Sequence, residues 1–389
     1  MLTGAAVGRW DAVIAGGGAS GLSLACHLAA GGWRDRRVLV VDDGSRPLEG
    51  RAWAYWSAGP GLLDAAVDRS FDRLRVCAPG RTVHVPLHRY RYRVVSGARL
   101  QRAVKGALAP APGYRLTHGH VEAIEQNPDG AVVHIDGRLV EADWVFDSVT
   151  APSPLDARAW LTFSGWEVET QQDAFEPGTP TLMDFRTDQD GELRFVYVLP
   201  SGPRRALVEH TRFGAGAPVD ADGPLDDYLT DVTRAGAYRV LRREGGRLPL
   251  RPPLPRPGVG HVVPIGVAGG MLKASTGYAY ARIQRDSAAI ARSLVTARHP
   301  FAPTGGHRRH AVLDAVLLDV LAAEPDRLQQ AFLQLFARNP GDRLLRFLDE
   351  DTSIFQEAVL VTTLPPTPFL RAMVRMLRSA ARRRRSDSG

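Results

Sequence analysis

The stretch from Asp11 to Asp43 constrains the fold of this chain more than any other part of its sequence. It opens with a short apolar run, Ala12–Ala15, and continues with the glycine turn Gly16-Gly17-Gly18-Ala19-Ser20-Gly21. An amphipathic segment and a second apolar run follow, and the second run ends at Asp42. This order of strand, glycine turn, helix, strand and acidic residue is typical of a dinucleotide-binding unit.

Each glycine of the turn has a physical role in such a unit. Gly16 allows the tight turn, Gly18 lets the backbone approach a pyrophosphate, and Gly21 lets the helix lie close to the sheet. The helix N-terminus presents free N–H groups and a positive dipole end to the phosphates, and Asp42 would accept the hydroxyls of an adenosine ribose. We therefore predict dinucleotide contacts from residues 16–21 and Asp42. The alternative is a glycine turn that merely packs a helix on a sheet.

Length and composition indicate the number of domains and the cellular compartment of the chain. With 389 residues it can form two domains, or one domain with a large insertion. Its two cysteines, Cys26 and Cys77, lack metal-ligand spacing, so we expect neither a disulfide framework nor a zinc site, and a reducing cytosol fits best. No apolar run of about 18 residues is present, and a strand begins by residue 12. We expect no membrane-spanning segment and no cleavable secretory signal.

The positive charge of the chain is concentrated at its end. Seven arginines and one acid between Arg371 and Gly389 account for +6 of the net charge of +7. The charge therefore does not indicate a nucleic-acid groove, and we expect no nucleic-acid partner. Apolar and cationic residues alternate at helical spacing over Phe369–Arg378, as in helices that lie on anionic bilayers. The alternative is a terminal helix packed on the body of the protein, with a solvated arginine end.

The middle of the chain has the pattern of an antiparallel sheet. Residues 163–208 contain four apolar, alternating segments separated by turn signals. We predict a helix over 226–243 and a rigid, proline-rich connector over 247–257. A strand at 261–267 then leads to a second glycine turn with Gly269 and Gly270, and a helix at 278–295 follows. This turn would approach the same dinucleotide from the other side.

A few residues have the chemistry of a catalytic site. Glu209 lies on a predicted strand that places Leu207 and Glu209 on one face, so it is either a buried proton donor with a raised pKa or an acid that points to solvent. Asp184 is a similar case, and a structural pair with an arginine is favoured there. His118 and His120 resemble a metal pair, but no third ligand lies near them in sequence, and we predict no metal.

The segment Arg51-Ala-Trp-Ala-Tyr-Trp56 places three aromatic residues shortly after the nucleotide unit. They could line a cavity for a flat or extended apolar ligand, or simply pack in the core. Together with six later motifs, this segment resembles the FAD-dependent lycopene cyclase family, of the lycopene beta-cyclase type. The later motifs are Trp160–Thr170, Thr181–Gln189, Phe195–Pro200, Ala206–Thr211, Gly269–Gln284 and Asn339–Phe347. They occur in the family's order and extend nearly to the C-terminus.

The resemblance implies an α/β fold. It combines a Rossmann-type FAD-binding domain, like those of glutathione reductase and the hydroxylases, with an antiparallel β-sheet substrate domain and a helical C-terminal region. On this basis we predict a discontinuous FAD-binding domain at 1–155 plus 257–300 and a substrate domain at 156–256. A helical region at 301–370 and a basic tail at 371–389 complete the chain.

The resemblance also implies the site. The glutamate of the segment Ala206–Thr211, Glu209, matches the family's proposed acid/base, and we assign Arg51, Gly269 and Gly270 to FAD along with the first glycine turn. Two residues depart from the family pattern. Ala274 stands where the family usually has proline, and His210 stands where an acidic residue or tyrosine is common. Both departures lie near the presumed cavity and bear on end-group preference.

The implied reaction is a redox-neutral cyclisation of the linear ends of lycopene or a related acyclic carotenoid, giving β-carotene by way of γ-carotene. The family uses reduced FAD, with NAD(P)H as the electron source, and an anionic reduced flavin would stabilise the developing cation. An alkene is a very weak base, so the proton donor must be a neutral carboxylic acid in a dry pocket, which burial of Glu209 would supply. Because lycopene partitions into bilayers, we expect a cytoplasmic protein at the inner face of the cell membrane.

Two other classes of protein remain open on the same fold. A flavin monooxygenase or other oxidoreductase usually carries a Gly-Asp pair at the second glycine turn, whereas Ile265–Gly270 contains no aspartate. A non-catalytic carotenoid-binding flavoprotein would be favoured by an exposed Glu209 and a flavin that cannot be reduced.

Overall fold

A computed structural model describes residues 9–150, 157–214, 221–251, 259–301 and 308–386 of the chain. The strands are β1 Trp10–Ala15, β2 Val38–Asp42, β3 Ala52–Ser57, β4 Val67–Phe71, β5 Arg73–Ala78, β6 Arg81–Pro86, β7 Arg91–Ser96, β8 Tyr114–His118, β9 Val121–Asn127, β10 Gly130–Ile135, β11 Arg138–Asp147, β12 Ala159–Thr170, β13 Thr181–Asp184, β14 Leu193–Gly202, β15 Arg205–Gly214, β16 Tyr238–Leu250 and β17 Val262–Pro264. The helices are α1 Ala19–Leu28, α2 Gly97–Leu108, α3 Asp222–Asp227, α4 Tyr280–Thr296, α5 Arg308–Ala323, α6 Asp326–Arg338, α7 Gly341–Leu348, α8 Ile354–Val361 and α9 Pro366–Ser386.

The chain divides into two compact units. The first comprises Met1–Ser70, Arg93–Ser153 and Pro253–Gly305, and the second comprises Phe71–Tyr92, Pro154–Pro252 and Gly306–Gly389. The boundaries that we predicted at 155/156 and 256/257 lie outside the described residues. The division into functional domains therefore stays a prediction.

The first unit contains a sheet with the order of a Rossmann-type fold. Strands β8, β2, β1 and β11 are adjacent and parallel, β17 also pairs in parallel with β11, and β10 and β9 extend the sheet as an antiparallel meander. Residues 12–15 of β1 are fully buried, as expected for a parallel strand that is covered on both faces. Helices α1, α2 and α4 form a common core with one face of this sheet.

The second unit is built on a seven-stranded sheet in the order β16-β12-β15-β14-β13-β5-β6. The pairs are antiparallel except for β13 with β5, which confirms the antiparallel sheet predicted from the sequence. One face packs on α3 and the turn that follows it, through Trp166, Val196, Val208, Leu225 and Leu229. Glu209 lies on the opposite face, because it alternates with Val208 along β15.

The predicted helix over 226–243 is wrong for most of its length. Helix α3 ends at Asp227, one turn of π-helix covers Tyr228–Val232, and β16 runs from Tyr238 to Leu250. The predicted connector at 247–257 likewise begins as strand, and its residues 252–257 lie outside the described part. Pro249 is tolerated because β16 is an edge strand, where one row of backbone groups needs no partner.

The pairing of β12 with β16 contains one irregularity. Val168 lies opposite Val240, but Glu167 lies opposite Arg242, so Leu241 is an extra residue on β16. Beyond this bulge the register is regular as far as Leu250.

The C-terminal part of the second unit is helical, as predicted. The proline-containing segments Asn339-Pro340 and 364–368 lie between α6 and α7 and at the start of α9. Ser353 and Gln356 form a capping box at the start of α8. Among the helices that the structure describes, none has the length and hydropathy needed to cross a bilayer.

Candidate functional site

The first glycine turn contains two positions, Gly16 and Gly21, that a larger residue does not fit. Gly16 has a φ of +104° and donates a 2.7 Å hydrogen bond to the carbonyl of Val41. A Cβ atom on Gly16 would lie 2.2 Å from Ser148 Oγ, and one on Gly21 would lie 1.9 Å from the carbonyl oxygen of Gly16. A side chain at Gly21 would therefore displace α1 from the turn and the sheet, and one at Gly16 would be strained by its positive φ.

Gly18 differs from its neighbours because the protein leaves open space beside it. It caps α1 in an extended conformation, and a Cβ there would meet no atom within 4 Å. Ala19 and Ser20 begin the helix, and no acidic residue lies in its first turn. The N-terminal N–H groups and the positive end of the helix dipole lie beside this open space, as the predicted pyrophosphate contact requires.

Asp42 is anchored beside the first glycine turn. Its Oδ2 accepts a 2.6 Å hydrogen bond from the N–H of Gly17, and its Oδ1 accepts one of 2.9 Å from the N–H of Gly44. An ionised carboxylate has about four lone-pair sites, so two sites stay available for hydroxyl groups. The geometry is compatible with the predicted ribose contact.

The second glycine turn lies against the start of α1. Gly269 donates a 3.0 Å hydrogen bond to the carbonyl of Ile265, and Gly270 has a φ of +76°. A Cβ on Gly266 would lie 2.8 Å from the Cβ of Ser20, so the two glycine turns meet within the first unit. The following helix, α4, begins only at Tyr280.

The aromatic segment packs on the residues that follow the second turn. Tyr55 and Tyr280 have ring centroids 4.9 Å apart, and Trp56 and Tyr278 have centroids 4.8 Å apart. Tyr55 and Trp56 are buried, which favours the core-packing interpretation for these two residues. Arg51, at the start of this segment, is exposed.

Glu209 sits in the middle of the antiparallel sheet of the second unit. On β15 it lies opposite Gly165 of β12 on one side and opposite Tyr197 of β14 on the other. The residue is half-buried, but protein atoms desolvate its carboxyl group. Desolvation, the nearby charge of Glu244 and a hydrogen bond with Glu244 raise the pKa of Glu209 to about 8, against the attraction of Arg242. Its carboxyl group is therefore mostly neutral at pH 7.

On the face of the sheet that carries Glu209, the part near Phe195 and Phe213 is largely apolar and aromatic. Phe195 and Phe213 have ring centroids 6.1 Å apart and occupy the same face of β14 and β15 as Glu209. Next to Glu209, the hydroxyls of Tyr197 and Tyr92 lie 3.0 Å apart in a buried pair. This apolar part of the face suits an apolar ligand.

The residue after the proposed acid points to the other face. His210 is buried, and its burial, with the charges of Arg194 and Arg212, lowers its pKa to about 4. It is thus neutral at pH 7. Ala274, the second departure from the family pattern, is buried in the first unit.

The other candidate residues have structural partners. Arg186 binds both carboxylate oxygens of Asp184, at 2.9 and 2.6 Å, and the Tyr228 hydroxyl donates to the same carboxylate at 2.8 Å. This confirms the arginine pair predicted for Asp184. Nδ1 of His120 lies 3.4 Å from a carboxylate oxygen of Asp43. In the described part of the chain, no three His, Cys, Asp or Glu side chains are grouped as metal ligands would be.

One residue of the site was not predicted from the sequence. Glu244, on β16, lies opposite Gly165 and interacts with Glu209, and it fell between the predicted helix over 226–243 and the predicted connector over 247–257. Half-buried and exposed residues alternate from Tyr238 onward, but charged residues occupy both sets, so the hydrophobicity of the sequence does not reveal this strand.

Comparisons with known proteins show the family and the fold. The family model described as lycopene cyclase protein matches residues 11–374. A lycopene beta-cyclase from a Paracoccus species is 29% identical over 92% of this chain and 95% of its own length. Among solved structures, HpxO from Klebsiella pneumoniae, in complex with FAD and uric acid, is 17% identical with a TM-score of 0.61, over 87% of this chain and 96% of that one. A geranylgeranyl bacteriochlorophyll reductase-like protein from Thermoplasma acidophilum is 13% identical with a TM-score of 0.57, over 94% and 96%. These structures share the Rossmann-type fold.

Proposed function

Because this chain belongs to the lycopene cyclase family, we propose that it closes rings at the linear end groups of lycopene or a related acyclic carotenoid. The reaction is a redox-neutral isomerisation. A proton adds to the terminal double bond, the neighbouring double bond closes a six-membered ring on the cation, and a proton then leaves a carbon next to the cationic centre. Atoms and electrons balance without an oxidant.

Glu209 is the proton donor in this proposal. The observation that carries it is the position of its carboxyl group in the middle of the sheet, where desolvation and Glu244 raise its pKa to about 8. An ionised glutamate has no proton to give, and a normally solvated one is ionised at pH 7. The apolar surroundings of Phe195 and Phe213 would hold a polyene end and keep water from the cation.

The glycine turns of the first unit are the proposed FAD site. Gly16, Gly17, Gly18, Ala19, Ser20 and Gly21 would hold the pyrophosphate, with Asp42 on the ribose and Arg51, Gly269 and Gly270 contributing further contacts. The open space beside Gly18 supports this assignment. Reduced FAD, with electrons from NAD(P)H, would supply a negative charge that stabilises the carbocation.

Helix α9 supports a peripheral membrane role. Four exposed apolar side chains recur at helical spacing on one side of it, namely those of Leu370, Met373, Val374 and Leu377. The opposite side packs on α5, where Arg375 pairs with Asp319 and Arg371 with Glu324. An apolar stripe beside cationic residues matches the requirements of an anionic bilayer surface, where a water-insoluble carotenoid would be found.

The proposed function is tested in a lycopene-accumulating bacterium that expresses the full chain. We expect loss of lycopene and appearance of cyclic carotenoids on chromatography, and the products show whether one or both ends are closed and which ring forms. Purified protein with FAD and a reductant should perform the same conversion without net consumption of NAD(P)H per ring. An oxygenated product would instead indicate a monooxygenase, and unchanged lycopene would indicate a carotenoid-binding role.

A further inference from the structure

Two glutamates and one glycine form a single row across three strands. Gly165 on the inner strand β12 lies opposite Glu209 of β15 on one side and opposite Glu244 of β16 on the other. Residues in the same row of a sheet point to the same face. The two glutamates therefore flank a position that has no side chain.

The missing side chain brings the two carboxyl groups together. A Cβ on Gly165 would lie 2.6 Å from Cγ of Glu209, so the Glu209 side chain lies over the glycine. There its carboxyl group lies beside that of Glu244, whose charge and hydrogen bonding raise the pKa of Glu209. Two carboxyl groups can share a hydrogen bond only if one of them keeps a proton.

Glu244 is in turn held by a chain of ion pairs. Arg242 binds the carboxylate of Glu244, and its Nε also lies 3.3 Å from Glu167, which pairs with Arg205 at 2.6 Å. These groups occupy the same face of β12, β15 and β16. Arg242 compensates the charge of Glu244, so the proton of the pair belongs on Glu209.

We propose that Glu244 is a positioning residue for the proton donor: through the gap at Gly165 it accepts the hydrogen bond of the Glu209 carboxyl group and thereby keeps that group neutral and oriented. This inference rests on the proposed function of Glu209. After Glu209 gives up its proton, two neighbouring carboxylates face each other, and their repulsion favours return of a proton to Glu209. The charged or titratable groups on this face of the sheet include Glu244 and Arg242 on β16, Glu167 on β12, Arg205 on β15 and Tyr197 on β14.

The test measures protonation directly, so that it does not depend on turnover. Infrared spectra of the full-length flavin-bound protein are recorded across pH, and the Glu209 C=O band is identified by its loss in Glu209→Gln. In Glu244→Gln we expect this band to disappear at a pH about two units lower than in the wild type. Arg242→Gln should move the midpoint in the opposite direction, because Arg242 lowers the pKa of Glu209.

Turnover provides the second measurement. With a pKa lowered by about two units, the neutral fraction of Glu209 at pH 7 falls about tenfold, and we expect kcat of Glu244→Gln to fall similarly and to recover in acid, with KM and flavin content unchanged. Glu244→Asp should restore part of the wild-type pH profile. Glu169→Gln is the control, since Glu169 pairs with Arg239 at 2.6 Å elsewhere on β12 and β16.

The outcomes separate the two proposals. An unchanged midpoint in Glu244→Gln, or an equal change in Glu169→Gln, overturns the role of Glu244. If Glu244→Gln does not fold, an unchanged or lowered midpoint of the Glu209 titration in Arg242→Gln overturns the role of Glu244. If the midpoint shifts in Glu244→Gln but the wild-type protein converts no lycopene, the proposed function is overturned and the role of Glu244 beside Glu209 stands.

Discussion

Glycine serves different purposes at the two candidate sites. At Gly18, in the first unit, the absent side chain leaves space that no protein atom fills, as a bound ligand requires. At Gly165, in the second unit, the absent side chain leaves space that Glu209 fills. The first site is made of backbone N–H groups from consecutive residues, whereas the second is made of side chains from three strands. The first therefore depends on local conformation and the second on strand register.

The largest effect should come from Glu209→Gln, because an amide cannot replace a neutral acid as proton donor. We expect ring closure to fall by about 10³-fold or more, with the flavin still bound. Ring closure is measured as conversion of lycopene by purified protein, and bound flavin as the flavin absorbance of the same sample. Activity near the wild-type level would remove Glu209 from the mechanism. Glu169→Gln on the neighbouring strand is the matched control.

The next effect concerns the cofactor. Gly18→Val should yield folded protein without FAD, since a side chain here meets no protein atom but would occupy the space of the pyrophosphate. After purification, flavin content measures FAD binding and circular dichroism measures folding. Gly106→Val on α2, where a Cβ also meets nothing within 4 Å, should keep its flavin. A Gly18→Val protein that purifies yellow would contradict the assignment.

Gly165→Ala should leave the cofactor site intact and impair the acid. The new methyl group would lie 2.6 Å from Cγ of Glu209, so the side chain must move. A displacement of about 1 Å at a reacting group can cost about 100-fold in rate, and we expect a loss of this order in kcat at full flavin content. Gly202→Ala on β14, where a Cβ meets nothing, is the control. Equal activity of both variants would show that the gap at Gly165 has no role.

The smallest effect is expected at α9. Replacing Met373 and Leu377 by glutamine removes two exposed apolar side chains without touching the packed side of the helix. Binding to vesicles that contain anionic lipid should weaken about tenfold, with soluble activity unchanged. Val312→Gln on α5, which also changes an exposed apolar residue, should bind as the wild type does. Unaltered binding of the α9 variant would favour a purely structural helix.

The contrast between a site of consecutive residues and a site on three strands explains what could be predicted from the sequence. The strand, glycine turn and helix at 10–28 are contiguous, so spacing alone predicts their conformation. Glu209 was found because it lies within a motif, and its alternation with Val208 agrees with the structure. Glu244 was missed because β16 is an edge strand with charged residues on its exposed positions, and it follows a helical turn that ends at Val232. Only pairing with β12 shows which of its residues face Glu209.

The bulge at Leu241 determines which residue of β16 lies beside the proposed acid. In an unbroken ladder Glu167 would pair with Leu241, and Arg243 would then lie opposite Gly165. Loss of the bulge without loss of a residue would thus replace an anion beside Glu209 by a cation, which favours the ionised form of Glu209. Deletion of Leu241 together with the bulge would instead leave Glu244 opposite Gly165. The pairing register of an edge strand, and not only its composition, therefore sets the charge that surrounds Glu209.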